Sequence, residues 1–412
     1  MRRWQRWLLT VLVALLALVG MGYGMLAAST SRSQLARAVL WGESDVQDRA
    51  RFPARRIAAG PTRFRFSRPA GGSNLPPVRT IEVVEDGRLV RRDLEQFLAA
   101  SGTTAFLIVR GDTLLYEGYF NGYDRESIQT SMSVAKSVLG ALVGIAIGQG
   151  RIGSVDDPIT RYVPELAARD RRFSQITLRH LLSMTSGLRY EEGGGPWGDD
   201  TATYYAPDLR ALVLTRTEVV EAPGLRFHYN NFNPLLVGLA LERATGMPVA
   251  TYLEQRLWRP LGMEAGGSWS LDSRASGFEK MESGLNARAV DFAKLGLLVA
   301  RDGRWQGRQL VPRAWVRDLT MVPTGGGSVP SSSYRFFWWT QDDRHPPAVF
   351  ARGKYGQHLY VVPDSELVLV RFGRDAGYRH WPQLLSDLAR QLDQATSGSK
   401  RSMVGGDRGR RR

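Results

Sequence analysis

No cysteine occurs anywhere in the 412 residues, which excludes a thiol nucleophile, thiolate metal ligation and disulfide cross-links. That absence leaves the compartment open, because envelope proteins need not be cross-linked. Histidine is nearly as scarce: five residues, at 180, 228, 345, 358 and 380, are scattered without a His-Glu-x-x-His pattern, so the sequence calls for no metal and no other cofactor. A Gly-x-Ser-x-Gly elbow is missing too, and with it the usual seat of a Ser-His-Asp hydrolase. Lysine is the most telling shortage. Only five lysines (136, 280, 294, 354 and 400) stand among 55 basic residues, the rest being arginine. Arginine keeps its proton in a protein, whereas a desolvated lysine can lose one and act as a base.

Acidic residues are too few to balance the chain, whose net charge is +15, but the excess is confined to its ends. Residues 1–29 carry +3, residues 30–80 carry ten arginines against three acids, and residues 399–412 carry +5. The body between 81 and 398 is neutral, with 36 bases and 36 acids. Basic charge flanking an apolar N-terminal run favours anionic lipid over a nucleic-acid groove, so no nucleic-acid partner is expected.

Arg2, Arg3 and Arg6 precede an uncharged run over residues 7–31 that is long enough for one membrane span, with the N-terminus kept cytoplasmic. Two readings stay open: an uncleaved anchor, or a signal peptide cut near Ala27-Ala-Ser29. The anchor is favoured, because the run is long and the cleavage site is poor. Either way the body is expected outside the cytoplasmic membrane, on the periplasmic or extracytoplasmic side, or secreted if the segment is cut. Residues 30–80, ending in the Gly/Pro-rich stretch 70–77, read as a basic juxtamembrane spacer with one short helix near residues 34–40. Residues 81–395 read as the folded domain and 396–412 as a disordered basic tail. Strand patterns occupy residues 105–119, turning at Gly111-Asp112, and return at 333–340, 349–352 and 358–372, the last pair around Pro363-Asp364. Helical patterns fill the middle, clearest at 178–184, 235–245 and 288–300, with a final helix at 381–395. A Gly-rich interruption at 193–198 reads either as a lid or as an ordinary surface loop. Strands at both ends and helices between predict an α+β fold: one antiparallel sheet built from both ends of the body, flanked by helices, with a mostly helical inserted subdomain and the cleft between the layers.

Residues 137–150 contain no charge and are apolar all round, which predicts a buried helix too short for a membrane. Ser133 at its mouth and Lys136 one turn on place hydroxyl and ammonium on one face, the geometry of a nucleophile and its activator. Ser-x-x-Lys is a short pattern, and Ser397-Gly-Ser-Lys400 repeats it in the polar tail. What separates the first copy from a packing accident is the buried helix and the sparing use of lysine. Two further motifs follow in order: Tyr229-Asn230-Asn231 just before the helix at 235–245, and Lys354-Tyr355-Gly356 on or beside a strand.

Together these residues resemble the serine β-lactamase and penicillin-recognising superfamily, whose signature is Ser-x-x-Lys, then Tyr-x-Asn, then Lys-Thr-Gly. The nearest branches are similar to class C β-lactamases, the related esterases and the 6-aminohexanoate-dimer hydrolases. The resemblance covers roughly residues 80–395, supported by the stretches 176–188, 284–291 and 357–363. It implies a β-lactamase/transpeptidase-like fold and a serine hydrolase working through an acyl-enzyme on Ser133. Lys136 and Tyr229 would share the serine proton and later pass one to the leaving group. Asn231 would hold substrate and lysine, and Lys354 would favour the Tyr229 phenolate. Backbone N–H groups of Ser133 and Gln357, beside Gly356, would form the oxyanion hole.

Tyr355 departs from the family, which has a small hydroxyl residue there that helps seat a substrate carboxylate. A bulky ring at that place turns the expectation from β-lactams and D-Ala-D-Ala peptides towards linear amides or esters as the small-molecule substrate. β-Lactamase or carboxypeptidase action, and a penicillin-binding sensor that is acylated without turnover, remain the alternatives. Tyr229 beside Lys136 argues against the sensor, which has no need of deacylation.

Overall fold

Along the strand Thr103–Arg110, Ala105, Leu107 and Val109 enter one hydrophobic core while Phe106 and Ile108 enter another, all of them buried. A strand covered on both faces reads in sequence as an unbroken apolar run. The computed structural model that shows this describes residues 3–30, 32–69, 76–321, 333–341 and 347–405. The strand turns at Gly111-Asp112 into Thr113–Tyr119, as the sequence predicts. It belongs to a seven-stranded sheet whose spatial order is Tyr334–Arg335, Trp338–Gln341, Ala348–Gly353, Gln357–Val362, Leu367–Gly373, Thr103–Arg110 and Thr113–Tyr119, antiparallel throughout. The two ends of the body therefore meet where Leu367–Gly373 pairs with Thr103–Arg110. Helices Val134–Gly148 and Ala289–Ala300 pack on one face, and Leu94–Ala100 and Trp381–Gly405 on the other.

The predicted buried helix is Val134–Gly148, and it seats closely against the sheet because it carries glycine where it passes its neighbours. A Cβ on Gly140 would stand 2.6 Å from the Phe336 carbonyl oxygen. The helical middle packs behind it, with Leu178–Leu182 and Phe232–Thr245 close to their expected positions.

Several expectations need correction. The single strand expected at 333–340 is two short strands, because Phe336 and Phe337 both adopt positive φ (48° and 66°) and reverse the chain. A hairpin, Thr80–Glu85 with Arg88–Asp93, precedes the strands read from the sequence. Its Asp86-Gly87 turn has φ 49° and 74°, the pair of left-handed residues that an Asp-Gly dipeptide signals. The last helix continues from Ala395 to Gly405, where a disordered tail was expected. The stretches 70–75 and 406–412 lie outside the described residues.

The largest correction concerns the presumed spacer at 30–80, which is built into the body. Gln34–Trp41 is a helix capped by the Ser33 hydroxyl. Arg37 on it is 2% exposed and donates to the carbonyls of Thr30 (2.6 Å), Tyr205 (3.0 Å) and Asp272 (2.7 Å). An arginine spreads several N–H donors over carbonyls that would otherwise be buried unpaired. Further on, Phe52 packs edge-on against Trp41 and Tyr204, and Ala54–Ile57 pairs with Gly267–Ser270. That pairing completes a second, four-stranded sheet with Leu285–Arg288 and Ile128–Thr130.

Candidate active site

The chain enters the buried helix under strain. The Ser131 N–H donates to the Leu285 carbonyl (2.9 Å), and Met132 is held at φ 46°, a left-handed conformation that costs a non-glycine residue about 1–2 kcal/mol. Gly353 crosses so close that a Cβ there would lie 2.7 Å from the Ser131 carbonyl oxygen. Ser133 is the N-cap residue of Val134–Gly148, yet its side chain makes no cap hydrogen bond. The hydroxyl instead accepts from Lys136 Nζ at 2.8 Å. Lys136 is 1% exposed and also donates to the Glu282 carbonyl at 2.8 Å. Nothing acidic fixes its proton in these contacts: a hydroxyl and a carbonyl are its hydrogen-bond partners.

Tyr229 and Asn231 are delivered by a turn that the 184–190 segment braces. Met184 sulfur accepts from the Asn230 N–H (3.4 Å) and from Asn233 Nδ2 (3.3 Å), while Asn230 Nδ2 donates to the Leu188 carbonyl (3.1 Å). The Tyr229 ring stacks on Trp339, and its centroid lies 5.1 Å from Lys136 Nζ. Tyr334 packs edge-on against the same ring, and burial together with Tyr229 pushes its phenol well above the ordinary value, so it stays protonated. Asn231 Nδ2 donates to the Tyr190 hydroxyl at 2.9 Å, whereas its buried Oδ1 has no partner among the described residues. Tyr190 donates in turn to Asp200, and burial beside that carboxylate raises its phenol strongly.

Lys354 and Tyr355 sit on a tight turn between Ala348–Gly353 and Gln357–Val362, with Tyr355 at φ 66°. Arg371, wholly buried, holds that turn by donating to the carbonyls of Tyr355 (2.8 Å) and Gly356 (2.9 Å). Lys354 and Tyr229 line one cavity, and the direct contacts of Lys354 run to residues 43 and 44. Lys354 Nζ donates to the Ser44 hydroxyl (3.0 Å) and lies 3.6 Å from Glu43, while the cation beside the Tyr229 ring is Lys136. The Tyr355 hydroxyl likewise donates to the Ser44 carbonyl, which leaves it no free hydroxyl hydrogen for a substrate carboxylate. The Gln357 side chain is buried and pairs with Gly373 through both its oxygen and its nitrogen, so only its backbone is left for the cleft.

Among the described residues, two cavities open on Ser133. One of about 550 Å³ lies between residues 38–44, the Gly-rich segment around 193–196 and Tyr204-Tyr205. The other, about 1510 Å³, is lined by Tyr229, Trp339, the 352–356 turn and residues 376–382. Ser133, Asp200, Asn231 and Lys354 line both. The Gly-rich stretch is thus a cavity wall, with Gln34 Nε2 bonded to the Pro196 carbonyl at 3.1 Å. Sequence reading missed Tyr190, Asp200, Glu282 and Glu43-Ser44, none of which carries a motif or a periodic signal.

A family model described as Beta-lactamase matches residues 90–380. The 6-aminohexanoate-dimer hydrolase of Paenarthrobacter ureafaciens is 29% identical over 328 residues, covering 73% of this chain and 81% of that protein. Esterase EstB of Burkholderia gladioli is 33% identical over 142 residues, 32% of this chain and 36% of the esterase. Among solved structures, a candidate 6-aminohexanoate-dimer hydrolase from Bacillus anthracis superposes with TM-score 0.73 at 24% identity, over 88% of this chain and 97% of its own. A penicillin-binding protein from Bacillus halodurans shares the fold at TM-score 0.56 and 16% identity, over 73% and 99% of the two chains. Because that model matches well over half of the chain, the chain belongs to the beta-lactamase family and is a serine hydrolase of it.

Proposed function

We propose that Ser133 is the acylated nucleophile and that the substrates are linear amides or esters of small molecules. The observation that carries this is the 2.8 Å bond between Lys136 Nζ and Ser133 Oγ, made by a lysine that is 1% exposed. Ser133 Oγ attacks the carbonyl carbon while its proton passes to Lys136 and Tyr229. The oxyanion is met by the backbone N–H groups of Ser133 and Gln357, such donors being normally the largest single contribution to rate. The bond to the leaving nitrogen or oxygen then breaks, Tyr229 supplies that atom's proton, and water releases the acyl group by the reverse path. Asn231 and Lys354 line the substrate's path.

Similarity to the 6-aminohexanoate-dimer hydrolase and to EstB supports amide or ester substrates, and the engagement of the Tyr355 hydroxyl with Ser44 supports discrimination against β-lactams. We place the protein in the cytoplasmic membrane through the helix Arg3–Ser29, long and apolar enough to cross it, with the body on the extracytoplasmic side. A fluorophosphonate, a nitrophenyl butyrate and a chromogenic cephalosporin, offered to the detergent-solubilised full chain, test the reading. Label should map to Ser133, disappear in Ser133→Ala and persist in Ser397→Ala, with the butyrate turned over faster than the cephalosporin. Label on another serine would refute the nucleophile, and efficient cephalosporin hydrolysis would refute the substrate class.

A further inference from the structure

Of the two cavities that meet at Ser133, only the larger is lined by Tyr229. That asymmetry orients the substrate. When Ser133 Oγ bonds to the carbonyl carbon, the electron pair of the broken bond goes to the leaving atom, which must take a proton from a group beside it. With Tyr229 as that group, the leaving portion lies in the larger cavity and the acyl portion is left with the smaller. Resting on the proposed roles of Ser133 and Tyr229, we propose that the smaller cavity is the acyl subsite, that its outer wall is the N-terminal segment from Ala38 to Ser44, and that it takes an aliphatic acyl chain.

The wall is fastened at several points. Tyr355 donates its hydroxyl to the Ser44 carbonyl, and Lys354 Nζ donates to the Ser44 hydroxyl at 3.0 Å. Just beyond, Thr130 Oγ1 donates to the Val46 carbonyl (2.7 Å), and Tyr204 donates to the buried Asp48 carboxylate (2.9 Å). At the other end Arg37 ties the helix Gln34–Trp41 to the Tyr205 carbonyl. Because Tyr204 and Tyr205 themselves line the cavity, the segment and the opposite wall are bonded to one another around the space they enclose. Ala38, Gly42, Met132 and Pro196 present alkyl and backbone surface to it. A volume of about 550 Å³ falls within the roughly 300–1,000 Å³ of small-molecule sites. Tyr355 is then a positioning residue: it acts on substrate through Ser44.

Two sets of esters separate the sides of the scissile bond. The first keeps nitrophenol and lengthens the acyl chain from acetate to hexanoate; the second keeps acetate and exchanges nitrophenol for naphthol. Ala38→Trp, which fills the smaller cavity, should lower the hexanoate-to-acetate ratio of kcat/KM by about tenfold, the effect of losing about two buried methylenes. The naphthyl-to-nitrophenyl ratio should not move. A change in the leaving-group ratio with no change in the chain-length ratio would overturn the proposal. The unaltered full-length protein gives a second reading that needs no variant. After labelling with hexyl or methyl phosphonate, amide exchange over residues 36–46 should slow only in the hexyl adduct, and equal exchange in the two adducts would overturn it. Absence of any adduct on Ser133 would refute the nucleophile beneath the proposal, an outcome distinct from an adduct that leaves residues 36–46 unaffected.

Discussion

Replacing Lys136 by arginine keeps a positive charge in the site but removes the proton that can be given up. The side chain is 1% exposed and its nitrogen bridges Ser133 Oγ and the Glu282 carbonyl, both at 2.8 Å. A guanidinium is longer and planar, so in this pocket it must lose at least one of those two contacts, each a charge-assisted bond of about 1.5–3 kcal/mol. Removing a general base costs roughly 10²–10⁴ in rate. The activity of Lys136→Arg should therefore fall by about 10²–10⁴. Lys136→Met should fall as far, since charge alone is not what the serine needs. The assay is kcat/KM on nitrophenyl butyrate from pH 5 to 10, beside the rate of phosphonate labelling and a melting curve showing that the variant is folded. A folded Lys136→Arg protein within about tenfold of the unaltered enzyme would show that Lys136 serves only as a cation, and the base mechanism would fall.

Arg371→Lys leaves three donors where the guanidinium serves Ser101, Thr103, Tyr355, Gly356 and Asp375, so at least two of these five hydrogen bonds are lost. At about 1–3 kcal/mol each, urea denaturation should show roughly 2–6 kcal/mol lost, and a loss under about 1 kcal/mol would mean that the turn at Tyr355 holds itself. His358 is fully buried, and burial with Arg371 and Arg352 nearby drives its pKa well below the ordinary value, so it is neutral in the folded chain but titrates near 6.5 when unfolded. The unfolded state then binds the extra proton, and stability should drop by about 1.4 kcal/mol per pH unit as pH falls below that value. Melting curves from pH 7.5 to 5 should be shallower for His358→Gln, and identical slopes would refute the assignment. Full-length protein should stay with membranes in high salt, as a spanning helix would and a peripheral basic segment would not; a mature N-terminus near Thr30 in the native host would refute the anchor.

What the sequence determined by itself was local or ordered along the chain. Ser133 and Lys136 are one helical turn apart, so their spacing already placed hydroxyl and amine together. The strand patterns at 105–119 and 358–372 were read from the chain, and their positions at the two ends of the body implied a shared sheet. The hairpin at 80–93 went unread, although its Asp86-Gly87 turn carries a local signal for it. Tertiary structure alone decided the rest. Ser44 and Tyr355 stand 311 positions apart, and nothing in either stretch signals the other. The arginine-rich composition of residues 30–80 suggested a solvated spacer, whereas Arg37 is buried because the carbonyls of Tyr205 and Asp272, from distant segments, converge on it together with that of nearby Thr30. Lys354 was assigned to Tyr229 by motif, and its bond to Ser44 is set by which wall lies within reach of a flexible four-carbon side chain. Spacing and periodicity report bonds between near neighbours in the chain, while the cleft of this enzyme is closed by bonds between residues that only folding brings together.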